Sequence, residues 1–312
     1  MEINSNISTI EGQNTTKTEK TDKKVKEKGS LRAASAGSLA SALSMPVGML
    51  SIKGMQNVAG TLSKEQIKTL NECAEKMLKD AKLSQKGVKI DDVAGVVANF
   101  SLLPDSVYAM INPYFAIAEG KNAAFSSKPL INQLTRETVH DANTIIVNKN
   151  KLPNALFHEI GHAINYNSSK FWSVIQKMRN PSIAIASFIM LFAAFTTKAE
   201  AEDGKELTKA QKTKNFIRNN AGALAGLSML PVVSEEIMAS VRGLQYASKN
   251  LTKDLAKKVS KTNIYGAISY IAAAIGLAIS AHVAVKVKDS IMEKQKAKAE
   301  QQEQQLIDNQ EK

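Results

Sequence analysis

The stretch that most constrains this chain is His158-Glu159-Ile160-Gly161-His162. Placed on a helix, histidines four residues apart send both imidazoles from one face, where they can grip a single metal ion. Glu159 follows the first histidine. It can reach the water that such an ion holds and act as its base. Two of the chain's four histidines lie in this pattern. The plainer reading is a pair of helix-surface histidines with no metal.

The flanks fit the first reading. Asn143-Thr144-Ile145-Ile146-Val147-Asn148 is β-branched and bounded by Asn, and predicts a strand. Lys149-Asn150-Lys151 is a polar turn. Pro153 or Asn154 then starts a helix, the proline suiting the first turn and the asparagine the cap. Ala155, Leu156, Ile160, Ala163 and Ile164 give that helix an apolar side. A strand leading into an H-E-x-x-H helix resembles the zincin core. The resemblance implies that a strand beside the cleft pairs with an extended peptide substrate.

A catalytic zinc site needs three protein ligands and a water. The longer pattern H-E-x-x-H-x-x-G-x-x-H fails, because Asn165 and Ser168 stand where Gly and His are required. A later helix, Val233 to Gly243, offers the adjacent pair Glu235 and Glu236. Neighbouring helix residues point about 100° apart, so one of the two faces a metal. Here the chain resembles the membrane gluzincins of the HtpX and CAAX prenyl endopeptidase type, whose third ligand sits in E-x-x-A-D. Glu236-Ile237-Met238-Ala239 matches E-x-x-A, with Ser240 in place of the Asp. The resemblance implies Glu236 as the third metal ligand, Glu235 being the alternative. In that family the Asp supports a metal-binding histidine, and a serine hydroxyl can hydrogen-bond an imidazole but brings no charge. Asn122-Ala123-Ala124-Phe125 resembles the family's N-A-F-A stretch, and the likeness covers roughly 120–245. The competing reading of Glu235 and Glu236 is a charged helix start, since acids favour the first turn.

Three uncharged runs carry a separate argument. Residues 182–197 number 16, residues 221–234 number 14, and residues 264–285 number 22. A spanning helix needs about 20 residues, so the third run qualifies and the first is borderline. The second, interrupted by Pro231, reads equally as a core helix or a re-entrant piece. Because His158, His162 and Glu236 must meet, the chain between them crosses a bilayer an even number of times. Either both shorter runs span, as a hairpin, or neither does. Gly222, Ala225 and Gly226 would let such helices pack closely. Basic residues balance at six each in 198–220 and 235–263, so no positive-inside bias sets the orientation. The start of the chain lacks the apolar stretch of an ordinary signal peptide, and the catalytic domain is placed in the cytoplasm by default.

The 312 residues carry 41 basic and 29 acidic side chains, a net charge of +12. Lysines beside the apolar runs suit anionic lipid headgroups. Nucleic acid is not the expected partner, because no aromatic-rich basic patch or known motif appears. Cys73, the single cysteine, lies on the apolar side of a helix pattern through Ile67, Leu70, Ala74, Met77, Leu78 and Ala81, and reads as core. Ser63 and Gln66 form a capping box for that helix. His140 reads as a surface histidine, His282 lies within the third apolar run, and Tyr166 lies one turn beyond His162. Arg136 and Glu137 read as a solvated face.

The fold expected is α+β and mostly helical. It has a zincin-like core of short antiparallel strands plus the H-E-x-x-H helix, with two to three hydrophobic, membrane-crossing helices. Residues 1–60 form a disordered or weakly ordered region and 61–263 a metalloprotease domain interrupted by the apolar pair 182–234. Residues 264–285 form a transmembrane helix and 286–312 a polar tail. Val88-Lys89-Ile90 is expected as a strand, and Tyr114 to Phe125 as a hairpin around Gly120. The expected activity is hydrolysis of protein or peptide substrates at a membrane. Zn²⁺ is held by His158, His162 and Glu236, with Glu159 as the catalytic base. The alternatives are a soluble gluzincin with buried apolar helices, and a membrane-anchored scaffold with a degenerate metal site. No feature sets an oligomeric state.

Overall fold

A computed structural model describes residues 28–42, 44–93, 113–131, 138–201 and 205–310. The chain is mostly helical, with a small three-stranded sheet. It divides into two compact units. One, sheet-bearing, comprises Ser44–Ile183 and Met229–Ala274. The other comprises Met1–Leu43, Ala184–Ser228 and Ile275–Lys312, and is wholly helical among its described elements.

The sheet-bearing unit is built on strand β1 (Lys89–Asp92), helix α1 (Pro113–Ala118), and strands β2 (Ala124–Ser126), β3 (Leu130–Ile131), β4 (Thr138–His140) and β5 (Thr144–Val147). The first sheet has the order β1-β5-β2. All four residues of β5 are buried, as befits a β-branched central strand. The strands are not all antiparallel as expected: β1 runs parallel to β5 and only β2 runs antiparallel to it. A parallel pair needs a long crossover, and the connection 93–143 supplies one. Strands β3 and β4 form a separate antiparallel pair.

The hairpin expected over Tyr114 to Phe125 is not formed. Pro113 opens α1, as suits a first helical turn. Gly120, with φ of 69°, then closes it: the Gly120 and Lys121 amides donate to the carbonyls of Ile117 and Ala116 at 2.9 and 2.8 Å. Phe125 lies on a strand whose partner is β5, distant in sequence.

The main core of this unit gathers Leu70, Cys73, Met77, Ile145, Val147, Leu156, Phe157, Ile160 and Val259. Cys73 is buried on helix α2 (Lys64–Asp80), and burial pushes its thiol pKa up, which keeps it protonated and inert. The capping box of Ser63 and Gln66 starts that helix. Residues 45–60 precede it as another helix, so helix extends over the described part of the region expected to be weakly ordered. His140 does not stand free on the surface. Its Nδ1 lies 2.6 Å from the Asp91 carboxylate, with 9 % of the side chain exposed. Arg136 and Glu137 lie outside the described residues.

In the helical unit the best-buried large side chain is Arg218, on helix α3 (Lys209–Asn219), which Thr208 and Gln211 cap as a second capping box. Its guanidinium donates to the carbonyls of Ala193, at 2.7 Å, and of Thr196, and pairs with Asp289. It thereby satisfies carbonyls left open at the end of helix α4 (Arg179–Phe195). Lys288, also buried, reaches the Ser30 hydroxyl at 2.8 Å.

Among the described residues four helical runs are long and apolar enough to cross a membrane: Lys28–Gly60, Lys170–Phe195, Ala221–Asn250 and Lys253–Gln310. The run from residue 221 does not stop at Pro231. The proline sits in the first turn of a new helix, Leu230–Asn250, where its missing N–H costs nothing. The apolar run 264–285 is part of the 58-residue helix Lys253–Gln310, whose polar end, 297–310, is exposed. His282, on that helix, is exposed.

Candidate metal centre

Two helices of the sheet-bearing unit build the site. The first, α5 (Leu156–Ser168), follows a 3-10 turn over Pro153–Ala155. Pro153 opens that turn. Asn154 is not the expected cap, for its amide donates to the Thr262 hydroxyl at 3.0 Å. Leu156, Phe157, Ile160 and Ala163 anchor α5 in the core with no exposure. That leaves the opposite face for His158, Glu159 and His162.

The second helix, α6 (Leu230–Asn250), buries Val232, Glu236, Ala239, Gly243 and Ala247 along one face at helical spacing, with Glu235 beside them. Glu235 and Glu236 are 0 % and 1 % exposed, six and seven residues into the helix. They are not solvated first-turn acids. Two glycines allow the helices to meet backbone to backbone. A Cβ on Gly161 would lie 2.2 Å from the Ala239 carbonyl oxygen, and one on Gly243 would lie 2.5 Å from that of Phe157. Any side chain at either place would hold Glu236 away from the imidazoles.

Three acceptor-bearing atoms converge between the helices. His158 Nε2 lies 2.9 Å from His162 Nε2 and 3.0 Å from Glu236 Oε2, and His162 Nε2 lies 3.5 Å from Glu236 Oε2. The remaining ring nitrogens face outward to oxygen: His158 Nδ1 to Ser240 Oγ at 3.0 Å, and His162 Nδ1 to Glu235 Oε1 at 2.8 Å. Asn165 also donates to Glu235 Oε1, at 3.0 Å. Protons held on the two Nδ1 atoms leave both Nε2 lone pairs aimed at one point, beside a carboxylate oxygen.

The donor set fits a divalent metal. Tetrahedral zinc with bonds of 2.0–2.1 Å sets its ligands about 3.3 Å apart, so the three atoms need shifts of only tenths of an ångström. His158, Glu159 and His162 form one grouping within metal-binding reach, and His162, Glu235 and Glu236 a second. Without a metal, a proton must occupy the gap. Burial works against a charged imidazole at His162, yet the Glu236 carboxylate and the hydrogen bonds the imidazole donates to Glu235 and Glu236 outweigh it and push the pKa up to about 10.

The structure thus brings together His158, His162 and Glu236, with Glu159 alongside and 6 % exposed. Glu235, the alternative third ligand, lies behind His162. Ser240 occupies the outer position on His158, an uncharged hydrogen-bond partner for Nδ1.

Sequence reasoning missed Arg179. Its Nη1 donates to Glu235 Oε2 at 2.8 Å and its Nη2 pairs with Glu236 Oε1. Its guanidinium stands 5.5 Å from the centre of the Tyr270 ring. The one signal was an arginine at the edge of the apolar run from residue 182. Ionisable residues at such places are functional pointers.

His158, Glu159 and His162 open into a cavity of about 760 Å³ that is also lined by β2, Tyr166 and Tyr270. Tyr166, one turn beyond His162, is part of this wall. Its ring stands 6.0 Å from that of Phe125 and 5.5 Å from the Lys177 ammonium. Comparison with protein-family models, characterised proteins and solved structures finds no match to this chain.

Proposed function

We propose that this chain is a membrane-associated, zinc-dependent endopeptidase with a zincin-like core, as its resemblance to the HtpX and CAAX prenyl endopeptidase type implies. One observation carries the reading: His158, His162 and Glu236 converge through single atoms at 2.9–3.5 Å, and the two histidines open, with Glu159, into a cavity. His158, His162 and Glu236 would hold the metal. A bound zinc ion supplies polarisation of a peptide carbonyl and a lowered pKa for water. Glu159 takes the proton of the attacking water and returns it to the leaving nitrogen. Ser240 and Glu235, through the Nδ1 atoms, keep each imidazole in the tautomer that binding requires.

The substrate is a protein or peptide. Among the described residues β2 is paired on one side only, by β5, and it lines the cavity. An extended segment laid along its free edge would add a strand. Lipid is the second partner, given four helical runs of spanning length and composition. Glu235 and Glu236 lie within one of these runs, Ala221–Asn250, so one of the two helices that build the site belongs to the apolar set.

The test compares cleavage of a casein reporter, and of the chain itself, by wild type and Glu159→Gln. General-base removal is expected to cost about 10²–10⁴-fold in rate while metal content stays at the wild-type level. Equal cleavage by the two proteins would refute the enzyme reading and favour a scaffold.

A further inference from the structure

We infer that Arg179 is a positioning residue that restricts Glu236 to one oxygen at the metal and holds Glu235 as the outer carboxylate. This inference rests on the metal-site reading above. The four carboxylate oxygens divide cleanly. Glu235 Oε1 takes His162 Nδ1 and Asn165, while Glu236 Oε2 faces the two Nε2 atoms. Of the two remaining oxygens, Glu235 Oε2 accepts from Arg179 Nη1 at 2.8 Å, and Glu236 Oε1, which takes no hydrogen bond, makes its ion pair with Arg179 Nη2. A planar fork with fixed donors can span two carboxylates in this way, whereas the single ammonium of a lysine cannot hold both in one plane.

Charge follows the same logic. Glu159, Glu235 and Glu236 bring three negative charges into a site with exposures of 6 %, 0 % and 1 %. A divalent ion offsets two of them, and Arg179 supplies the third positive charge. Its own environment is fixed by the Tyr270 ring and hydroxyl, the hydroxyl 3.5 Å from Nη2. Without the guanidinium, Glu236 Oε1 is free to turn onto the metal as a second donor, and Glu235 loses what holds it behind His162.

Cobalt(II) reports coordination number by its visible absorption, four-coordinate sites absorbing more strongly than five-coordinate ones. The experiment titrates cobalt(II) into the metal-stripped full chain in detergent, as wild type, Arg179→Gln and Arg179→Lys. The expected result is a strong visible band in wild type. Both variants show a weakened, shifted band and about 10–100-fold weaker cobalt affinity, the usual cost of disturbing groups behind a metal ligand. Arg179→Lys keeps the charge and decides the matter even if Arg179→Gln fails to fold. Wild-type band and affinity in Arg179→Lys would overturn the inference while leaving the metal site standing. A wild-type chain that takes up no cobalt would overturn the metal reading and the inference together. Uptake without any peptide cleavage would refute only the peptidase function.

Discussion

The two units bury charge in opposite ways. In the helical unit Arg218 ends on carbonyls of Ala193 and Thr196 and on Asp289, and Lys288 ends on Ser30. Donors there meet acceptors, and the charges act as fasteners. In the sheet-bearing unit His158, His162 and Glu236 point three acceptor atoms at one another. Such a cluster is stable only with a cation, proton or metal at its centre. A buried charge whose partners are complete therefore marks architecture, and one whose acceptors converge on a gap marks a site.

The largest effect that sharpens this contrast is expected in the helical unit. Arg218→Met leaves the carbonyls of Ala193 and Thr196 without their donor and Asp289, itself 40 % exposed, without its partner; each buried carbonyl left unsatisfied costs about 1–3 kcal/mol. The melting temperature in detergent should fall while zinc per folded chain stays unchanged. A loss of zinc in the folded fraction would break the distinction between fastener and site.

A smaller cost is expected for Gly161→Ala. Its Cβ would meet the Ala239 carbonyl oxygen at 2.2 Å, and backbone cannot swing aside as a side chain can. Overpacking costs about 1–3 kcal/mol. Here it also carries Glu236 off the imidazoles, so metal affinity falls along with stability. An alanine variant that binds zinc like wild type would show that the close approach of α5 and α6 is not needed.

The smallest effect is in pH. With the His162 pKa pushed up to about 10 in the metal-free site, against an ordinary value near 6.5, this residue contributes stability that is complete below about pH 6.5. The contribution is lost as pH rises toward 10. Metal uptake near pH 7 must displace that proton. Calorimetry in buffers of different ionisation enthalpy should find about one proton released per metal, with affinity rising about tenfold per pH unit over this window. Uptake with no proton release would mean that His162 is already neutral.

Parts of this arrangement could be read from spacing alone. His158, Glu159 and His162 share a helix face through local periodicity, and Cys73 and the Ser63 capping box likewise follow from patterns within one helix. Glu236 was legible only through a resembling pattern, whose match at Ala239 set it ahead of Glu235. The uncharged run ends at residue 234, because hydropathy counts every carboxylate as solvated. Glu235 and Glu236 instead turn inward to histidines and arginine, and the helix continues to Asn250. Arg179 was out of reach because its partners lie 56 and 57 positions away with no periodic relation. The parallel pairing of β1 with β5 is equally non-local.

The most direct test of the central claim is the zinc content of the purified, remetallated chain beside Glu236→Ala and Glu235→Ala. The account expects about one zinc per chain in wild type, the usual stoichiometry of a three-ligand site. It expects loss in Glu236→Ala, and retention with weakened affinity in Glu235→Ala. No zinc in wild type, or a greater loss in Glu235→Ala than in Glu236→Ala, would contradict it.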